Sequence, residues 1–139
     1  MGTKPKSALF ARFKTDEDRE ENGVWVDFGD DIKVKVRRFK SRASQDARKE
    51  LEKPHQDVIR RGGLSEEQAQ ELLLRQMAKA IIVDWQGVTD EKGEPLPCTE
   101  DAKYSILKAL PEFRDEVFGI SIDRDAFKAK VDADAEGNS

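Results

Sequence analysis

Apolar and polar residues alternate most clearly over residues 24–36. Val24, Val26 and Phe28 alternate with other residues, and the same alternation resumes at Ile32 after a Gly-Asp-Asp turn. A period of two on both sides of such a turn predicts a β-hairpin with one apolar face. Because a hairpin alone is not stable in water, we expect that face to pack on helices or to join the sheet of another chain.

A helical period replaces the alternation in the rest of the chain. The strongest signal covers residues 64–85, where Ser65 and Gln68 form a capping-box pattern and apolar residues recur on a wide face. A face this wide predicts a central helix that is buried on more than one side. A more polar helix is predicted upstream, with Ser44 as its N-cap and Pro54 at its end.

Three shorter helices are predicted towards the C-terminus. Thr99 is the expected cap of the first, Pro111 suits the first turn of the second, and residues 123–131 form the third. The fold class is therefore predicted to be α+β, with an N-terminal β-hairpin packed on a mainly α-helical body of four or five helices.

The length of 139 residues fits one domain. We predict a flexible segment over residues 1–22, a single domain over residues 23–131, and a disordered tail over residues 132–139. The first segment is too polar to bury much surface. It contains three apolar residues that can dock onto the body or onto a partner: Leu9, Phe10 and Phe13.

Charged residues make up 39% of the chain, and no run of 18 apolar residues occurs, so no membrane span is expected. The N-terminus lacks the apolar region of a signal peptide, and Lys6 occupies the position where a myristoylation motif has Ser or Thr. The single cysteine, Cys98, permits no intrachain disulfide. A reducing cytoplasm is the expected environment.

The connector 83–98, with the sequence VDWQGVTDEKGEPLPC, combines a tryptophan, acidic residues, a Lys-Gly turn and two prolines, which suggests a specific role. A calcium loop requires Gly at its sixth position, but the glycine here is the fourth residue counted from Asp90. A zinc site requires clustered ligands, whereas Cys98 and His55 are far apart in the chain. We therefore predict a β-turn from Asp90 to Gly93 that fixes how the flanking segments meet, and we expect no metal and no cofactor.

No catalytic motif is found: GxSxG, P-loop and GxGxxG patterns are all missing from the sequence. The acidic pair in the connector occupies an open turn, whereas carboxylates that serve in acid–base catalysis generally need burial or a charged partner. The sequence therefore predicts a non-enzymatic protein.

The net charge of −4 conceals a basic middle segment. Residues 33–61 carry 11 basic and 4 acidic side chains, whereas residues 62–139 carry 9 basic and 17 acidic ones. The basic segment could follow phosphates, could attract the acidic parts of the same chain, or could meet an acidic protein. The alternative function is thus a small nucleic-acid-binding module with the basic patch Lys33, Lys35, Arg37, Arg38, Lys40 and Arg42. Only one aromatic residue, Phe39, interleaves with these cations, so nucleic acid is not the expected partner.

Two stretches carry a resemblance to a known family. They are IKVKVRRFKSRASQDARKELEKP at 32–54 and AKAIIVDWQGVTDEKGEPLPCTEDAKYSILKALPEFRDEVFGISIDRDAFKA at 79–129. The order of a basic segment, an amphipathic helix, a Trp-x-x-Val-Thr-Asp motif, a Gly-x-Pro turn and a capped helix resembles the tail assembly chaperones of long-tailed, siphovirus-like bacteriophages. The matching positions are Trp85, Val88, Asp90, Gly93, Pro95, Pro97 and Phe127, while Cys98-Thr99 departs slightly from the pattern.

The resemblance implies a role in virion morphogenesis without catalysis. Such chaperones bind the tape-measure protein, keep it soluble and help tail tube subunits gather around it. They act in the host cytoplasm, are not expected in the mature virion, and are often also made in a longer form by translational frameshift.

An apolar surface that accepts amphipathic helices suits this role. The expected partner-binding residues are Trp85, Leu96, Phe113, Phe118 and Met77. Self-association through the edge of the hairpin is a further expectation, because a two-stranded unit has an unpaired edge.

Overall fold

The computed structural model describes residues 7–129 and confirms the α+β prediction. Its sheet is antiparallel, with three strands in the order β1 (Val24–Gly29), β2 (Ile32–Val36) and β3 (Ile82–Gln86). The helices are α1 (Ala8–Phe13), α2 (Glu17–Asn22), α3 (Arg42–Glu52), α4 (Gln56–Arg60), α5 (Glu66–Gln76), α6 (Glu100–Ala109) and α7 (Pro111–Ile122). The helical body covers the face of the sheet that carries Val34 and Val36, as the predicted hairpin-on-helices arrangement requires.

The β1–β2 hairpin is confirmed. Its turn places Asp30 and Asp31 in the left-handed region, with φ angles of 54° and 62°, a conformation that aspartate tolerates better than most residues. Val34 and Val36 lie on the face that packs against the helices and are fully buried. The alternation along β2 therefore divides the core from the solvent.

The prediction that one helix runs from Ser65 to Trp85 is wrong. The α-helix ends at Gln76, a π-helical turn covers Met77–Ile81, and the chain then becomes β3. β3 pairs with β2, with Val34 opposite Trp85. Pairing with an existing strand edge outweighs helical propensity here, because β-branched residues fit a buried strand. The hairpin is therefore part of a three-stranded sheet, in which the outer edge of β2 is already paired.

Two of the three predicted caps are confirmed, and the third lies elsewhere. Ser65 and Gln68 form the capping box of α5, and the Thr99 hydroxyl caps α6. The cap of α3 is Ser41 instead of Ser44. Ser44 is buried, and its hydroxyl accepts a hydrogen bond from Gln76 at 2.9 Å. The Ser44 side chain, which the local pattern predicts to cap α3, thus binds Gln76, a residue distant in sequence.

The predicted final helix over 123–131 is shorter than expected. The structure has a 3-10 turn over Arg124–Phe127. Phe127 is fully buried at its end, so the turn acts as an anchor. The predicted tail over 132–139 lies outside the described residues.

The N-terminal segment contains α1 and α2, where the sequence predicted loose order. α2 is held against the body: the Arg37 guanidinium donates to the Glu21 carbonyl at 2.7 Å, and the Arg38 backbone donates to the Glu20 carbonyl at 3.2 Å. The Asp16 backbone N–H also donates to the Phe127 carbonyl at 2.9 Å. Helix α2 therefore packs with the domain.

The connector contains the predicted turn. The Gly93 N–H donates to the Asp90 carbonyl at 3.0 Å, and the Asp90 carboxylate accepts from the backbone of Lys92 and Glu94 at 2.8 and 2.9 Å. Beyond the turn, the Trp85 indole donates to the Leu96 carbonyl at 2.9 Å. The connector thus folds back as a short arm fixed to β3.

Candidate partner-binding groove

An open apolar groove, here called the α5 groove, lies between α3, α5 and α7. It encloses about 290 Å³. Its apolar lining is formed by Phe39, Leu51, Leu64, Ala69, Leu72, Leu73 and Phe118. Arg48, Glu52 and Gln76 complete its walls. An apolar concavity with a polar border is suited to binding the apolar face of another element.

The local sequence explains how these side chains converge. Leu64 precedes the N-cap of α5 and Ala69 lies one turn into that helix, the spacing of a hydrophobic staple. Both residues reach the groove. Leu72 and Leu73 follow within the next turn of α5, so that one helix supplies most of one wall.

Two contacts fix the floor and far wall of the α5 groove. The Gln76 side-chain amide is buried and donates to the Ser44 carbonyl at 3.1 Å, which joins α5 to α3. The rings of Phe39 and Phe118 meet edge to face with centroids 5.4 Å apart. Since such aromatic contacts prefer defined geometries, the segment before α3 is held at a defined distance from α7.

The rim carries charge of both signs. Arg48 and Glu52 form an i,i+4 ion pair at 3.0 Å, and the Arg48 side chain remains mostly exposed. The Glu67 and Glu71 side chains line a neighbouring hollow that shares Leu72 with the groove. An apolar floor with a charged rim favours an amphipathic partner over a purely apolar one.

Glu71 is fixed by contacts between α5 and α6. Its carboxylate accepts from the Tyr104 hydroxyl at 2.8 Å and from Arg75 at 3.1 Å. Burial alone would raise the pKa of Glu71, but these hydrogen bonds and the charges of Arg75 and Lys108 outweigh burial and lower that pKa. The acidic side of the rim therefore stays charged at neutral pH.

A second hollow continues the α5 groove past Leu73 and Phe118. It encloses about 280 Å³, and Gln70, Met77 and Arg114 contribute to its walls. Of the predicted partner-binding residues, Phe118 lines both hollows, and Met77 lines the second from a buried position.

The other three predicted residues lie elsewhere. Trp85 is only 6% exposed, and its indole bonds to Leu96 as described above. Phe113 packs against Phe28 of β1, with ring centroids 5.4 Å apart. The structure therefore divides the five predicted residues between the α5 groove and the closed side of the sheet.

Sequence reasoning missed much of the groove lining. The sequence pattern places Leu51 in the helix predicted to be more polar, Leu64 directly precedes the capping box, and Phe39 is the lone aromatic residue among the basic ones. The available signal was the staple spacing of Leu64 and Ala69, which fixes where the chain enters α5. Phe39 had no local signal, because its position depends on the packing of α7.

A buried lysine lies on the closed side, where β3 meets α6. Lys103 is 8% exposed, and its ammonium donates to the Ile82 carbonyl at 2.8 Å. Burial lowers the pKa of Lys103, and burial likewise raises the pKa of the nearby Cys98 thiol. The thiol is thus less ionised than an exposed cysteine at neutral pH, which opposes nucleophilic reactivity.

The predicted basic patch is partly used inside the protein. Arg37 donates to the carbonyls of Glu21 and Ala80, both at 2.7 Å. Arg38 is buried, lies 3.3 Å from the Glu20 carboxylate and covers the ring of Phe127. These two cations hold α2 and the C-terminal turn, which agrees with attraction between basic and acidic parts of the chain.

Two other members of that patch, Lys33 and Lys35, lie on the outer face of the sheet. Lys33 is opposite Asp27 on β1, and Lys35 is opposite Asp84 on β3. Their charges therefore alternate with carboxylates across the strands. A phosphate backbone would meet a mixed surface there instead of an uninterrupted basic strip.

Neither a metal-ion cluster nor a membrane-crossing helix is found within residues 7–129. No group of three or more His, Cys, Asp or Glu side chains in this part of the chain is placed to hold a metal ion. None of the helices in the same range combines the length and apolar character that a membrane crossing requires.

The fold and the groove define a small α+β protein with an open apolar concavity. Residues 39–138 match the family model described as YdaY prophage protein. The match covers well over half of the chain, so this protein belongs to the YdaY prophage protein family. Its phage origin is thereby established. No curated protein and no solved structure shows significant similarity to it.

Proposed function

We propose that this prophage protein is a non-enzymatic tail assembly chaperone that binds amphipathic helices of the tape-measure protein in the α5 groove. The observation that carries the proposal is the apolar lining of Leu72, Leu73 and Phe118, open to solvent inside a charged rim. Family membership supports the phage context. The resemblance over residues 32–54 and 79–129 supports the tail assembly role.

The groove suits a helical client for a physical reason. A helix presents apolar side chains at i, i+3, i+4 and i+7 along one stripe. The two hollows that share Leu73 and Phe118 offer successive places for such side chains. A charged rim keeps the complex in solution while the apolar stripe is covered. Tail tube subunits would then gather on the bound tape-measure protein in the host cytoplasm.

Co-expression with the tape-measure protein of the same prophage tests the proposal. We expect the tape-measure protein to move into the soluble fraction and to co-purify with this chain. Leu72→Gln should reduce recovery of the complex about tenfold, because a polar group replaces an apolar contact in the groove. The matched control is Leu110→Gln, since Leu110 is an exposed leucine outside the groove.

Equal recovery of the complex with Leu72→Gln and with Leu110→Gln would show that the groove does not bind the tape-measure protein. An insoluble tape-measure protein with no complex, in the presence of both this chain and any frameshifted longer form, would overturn the chaperone role. Steeply salt-dependent DNA binding would then favour the alternative nucleic-acid-binding function.

A further inference from the structure

The three-stranded sheet has two edges, and the edge at β3 is protected by other parts of the chain. The Ile82 carbonyl accepts a hydrogen bond from the buried Lys103 ammonium at 2.8 Å, and the Trp85 N–H donates to the Asp84 carboxylate at 2.8 Å. The Trp85 indole also fixes the connector beside this strand through the Leu96 carbonyl. Coverage of this kind opposes pairing of β3 with a further strand.

The edge at β1 is open. Within residues 7–129, β2 is the only strand that pairs with β1, and no backbone hydrogen bond reaches β1 from outside the hairpin. Alternate residues of an edge strand point their N–H and C=O groups away from the neighbouring strand. The sequence over 24–26 is Val-Trp-Val, which has a high β propensity and no charge. This part of β1 is therefore suited to pairing with another extended strand.

The side chains of β1 are also incompletely covered. Trp25 is 44% exposed on the outer face of the sheet. Val26 and Phe28 are only half-buried, whereas Val34 and Val36 of the neighbouring strand are fully buried. Apolar side chains are thus accessible beside the open backbone edge. Large aromatic residues in such positions are enriched at protein interfaces.

We propose that β1 pairs in antiparallel orientation with β1 of a second copy, across a two-fold axis at Trp25. In this register Trp25 faces Trp25 of the other copy and Val24 faces Val26, and the two sheets join into one sheet of six strands. Residues directly opposite each other in an antiparallel pair share a face, so both helical bodies lie on the same side of that sheet. Each chain has one open edge, so the pairing ends with two copies.

The strand is complementary to itself in this register, which favours a second copy as the partner. Asp27 is the only charged residue of β1, and it would face Gly23 instead of a second carboxylate. Cross-strand aromatic pairs such as the two Trp25 side chains stabilise antiparallel strands. An axis at Asp27 would place two carboxylates opposite each other, and an axis at Val26 would engage Phe28, where the pairing with β2 is irregular.

The pairing is independent of the proposed function, because no residue of β1 lines the α5 groove. A pair of short strands buries a small interface, and small interfaces belong to weak complexes, so we expect a monomer in dilute solution and a dimer at high concentration. If the proposed function holds, each dimer presents two grooves to one long tape-measure chain, and two linked sites bind more tightly than one.

Analytical ultracentrifugation of the full chain over a wide concentration range tests the pairing without any client. The mean mass of the wild type should rise from 15.8 kDa towards twice that value. Trp25→Lys should weaken association about tenfold or more, because it places two ammonium groups opposite each other. Trp25→Phe keeps the aromatic pair, and Gln86→Lys adds the same charge at the protected edge, so both should associate like the wild type. Circular dichroism establishes that each variant is folded.

Cysteine cross-linking tests the register. With Cys98→Ser as the background, Trp25→Cys places two thiols opposite each other across the axis, and mild oxidation by copper phenanthroline should link the copies. Asp27→Cys carries its thiol on the same face but opposite Gly23, too far from the second thiol for the short Cβ separation that a disulfide requires. It should cross-link at least about tenfold less, since cross-linking reports the population of the paired register.

A monomer at every concentration would overturn the proposal, as would association that Trp25→Lys leaves unchanged. Cross-linking of Asp27→Cys that equals that of Trp25→Cys would reject the pairing at Trp25. If the chain stays monomeric and Trp25→Lys reduces recovery of the tape-measure protein, the open edge binds a strand of that protein and the self-pairing is wrong. Loss of tape-measure binding with self-association intact would reject the proposed function and leave this inference standing.

Discussion

Two apolar regions meet at α5 and its continuation, and they differ in how far they are closed. Towards the sheet, Met77, Ile81 and Trp85 are buried, with β2, β3 and α6 packed around them. Towards α3, Leu72 and Leu73 are only partly buried beside an open hollow. The residue types are alike, so hydrophobicity alone does not distinguish the core from the α5 groove. The two regions differ because neighbouring strands and helices cover the first and leave the second open.

The difference has an energetic consequence. A closed region gains stability from each buried side chain, and a cavity there is costly because the surroundings relax only in part. An open region gains less on folding and keeps part of its apolar surface for a partner. Mutations in the two regions should therefore separate stability from binding.

The largest expected effect is on Trp85. Trp85→Ala should lower the free energy of unfolding by about 3–5 kcal/mol, because it leaves a cavity and an unpaired Leu96 carbonyl. The control is Trp25→Ala, since Trp25 is 44% exposed on the outer face of the sheet. That change should cost less than about 1 kcal/mol. Denaturant unfolding measures both, and equal losses would show that closure around Trp85 adds nothing to its contribution to stability.

Phe118→Ala in the open region should have an intermediate effect on stability. We expect a loss of about 1–2 kcal/mol, since the ring is partly exposed and its main aromatic contact is Phe39. Recovery of the complex with the tape-measure protein should fall about tenfold. A stability loss as large as that of Trp85→Ala, with recovery of the complex unchanged, would place Phe118 in the core.

Two glycines should respond to alanine with opposite signs. Gly93 has a φ of 85° in the connector turn, so Gly93→Ala should destabilise by about 1 kcal/mol. Gly119 lies within α7, and an added Cβ would meet nothing within 4 Å. Gly119→Ala should therefore stabilise by about 0.5–1 kcal/mol through helix propensity. Thermal unfolding of the two variants gives the signs directly.

The smallest expected effect is the pH dependence contributed by Glu71. Its pKa in the folded protein lies below the ordinary 4.5, so its contribution to stability is present above pH 4.5 and is lost as the pH falls through the folded pKa. The side chain is 44% exposed, and solvent screening keeps the effect small. Glu71→Gln should reduce the acid dependence of unfolding, and Glu67→Gln, one turn away, is the control for charge alone. Identical acid profiles for Glu71→Gln and wild type would contradict this role.

Local pattern was enough for the features that depend on neighbours in sequence. The hairpin, the capping box at Ser65, the Thr99 cap and the Asp90–Gly93 turn were all predicted correctly, since their geometry is decided within a few residues. The strand over 82–86 was not, because its partner is β2, far away in the chain. A short run of β-branched residues fits a buried helix as well as a strand until that partner is known.

The candidate site was predicted only in part, for a related reason. Phe118 is one of the residues expected on the partner-binding surface, and it lines the groove. Trp85 has the same character in sequence, yet β2 and the connector enclose it. Whether an apolar side chain is covered depends on elements that lie elsewhere in the chain.

The sequence by itself determined the fold class, the principal turns and caps, and the basic and acidic segments. These follow from backbone preferences and periodicity, which act over short distances. Only the tertiary structure decided that the long apolar stretch divides into α5 and β3, that Arg37 and Arg38 hold α2, and that the α5 groove remains open within residues 7–129. Packing decides such matters, because burial is a property of what surrounds a residue and not of the residue itself.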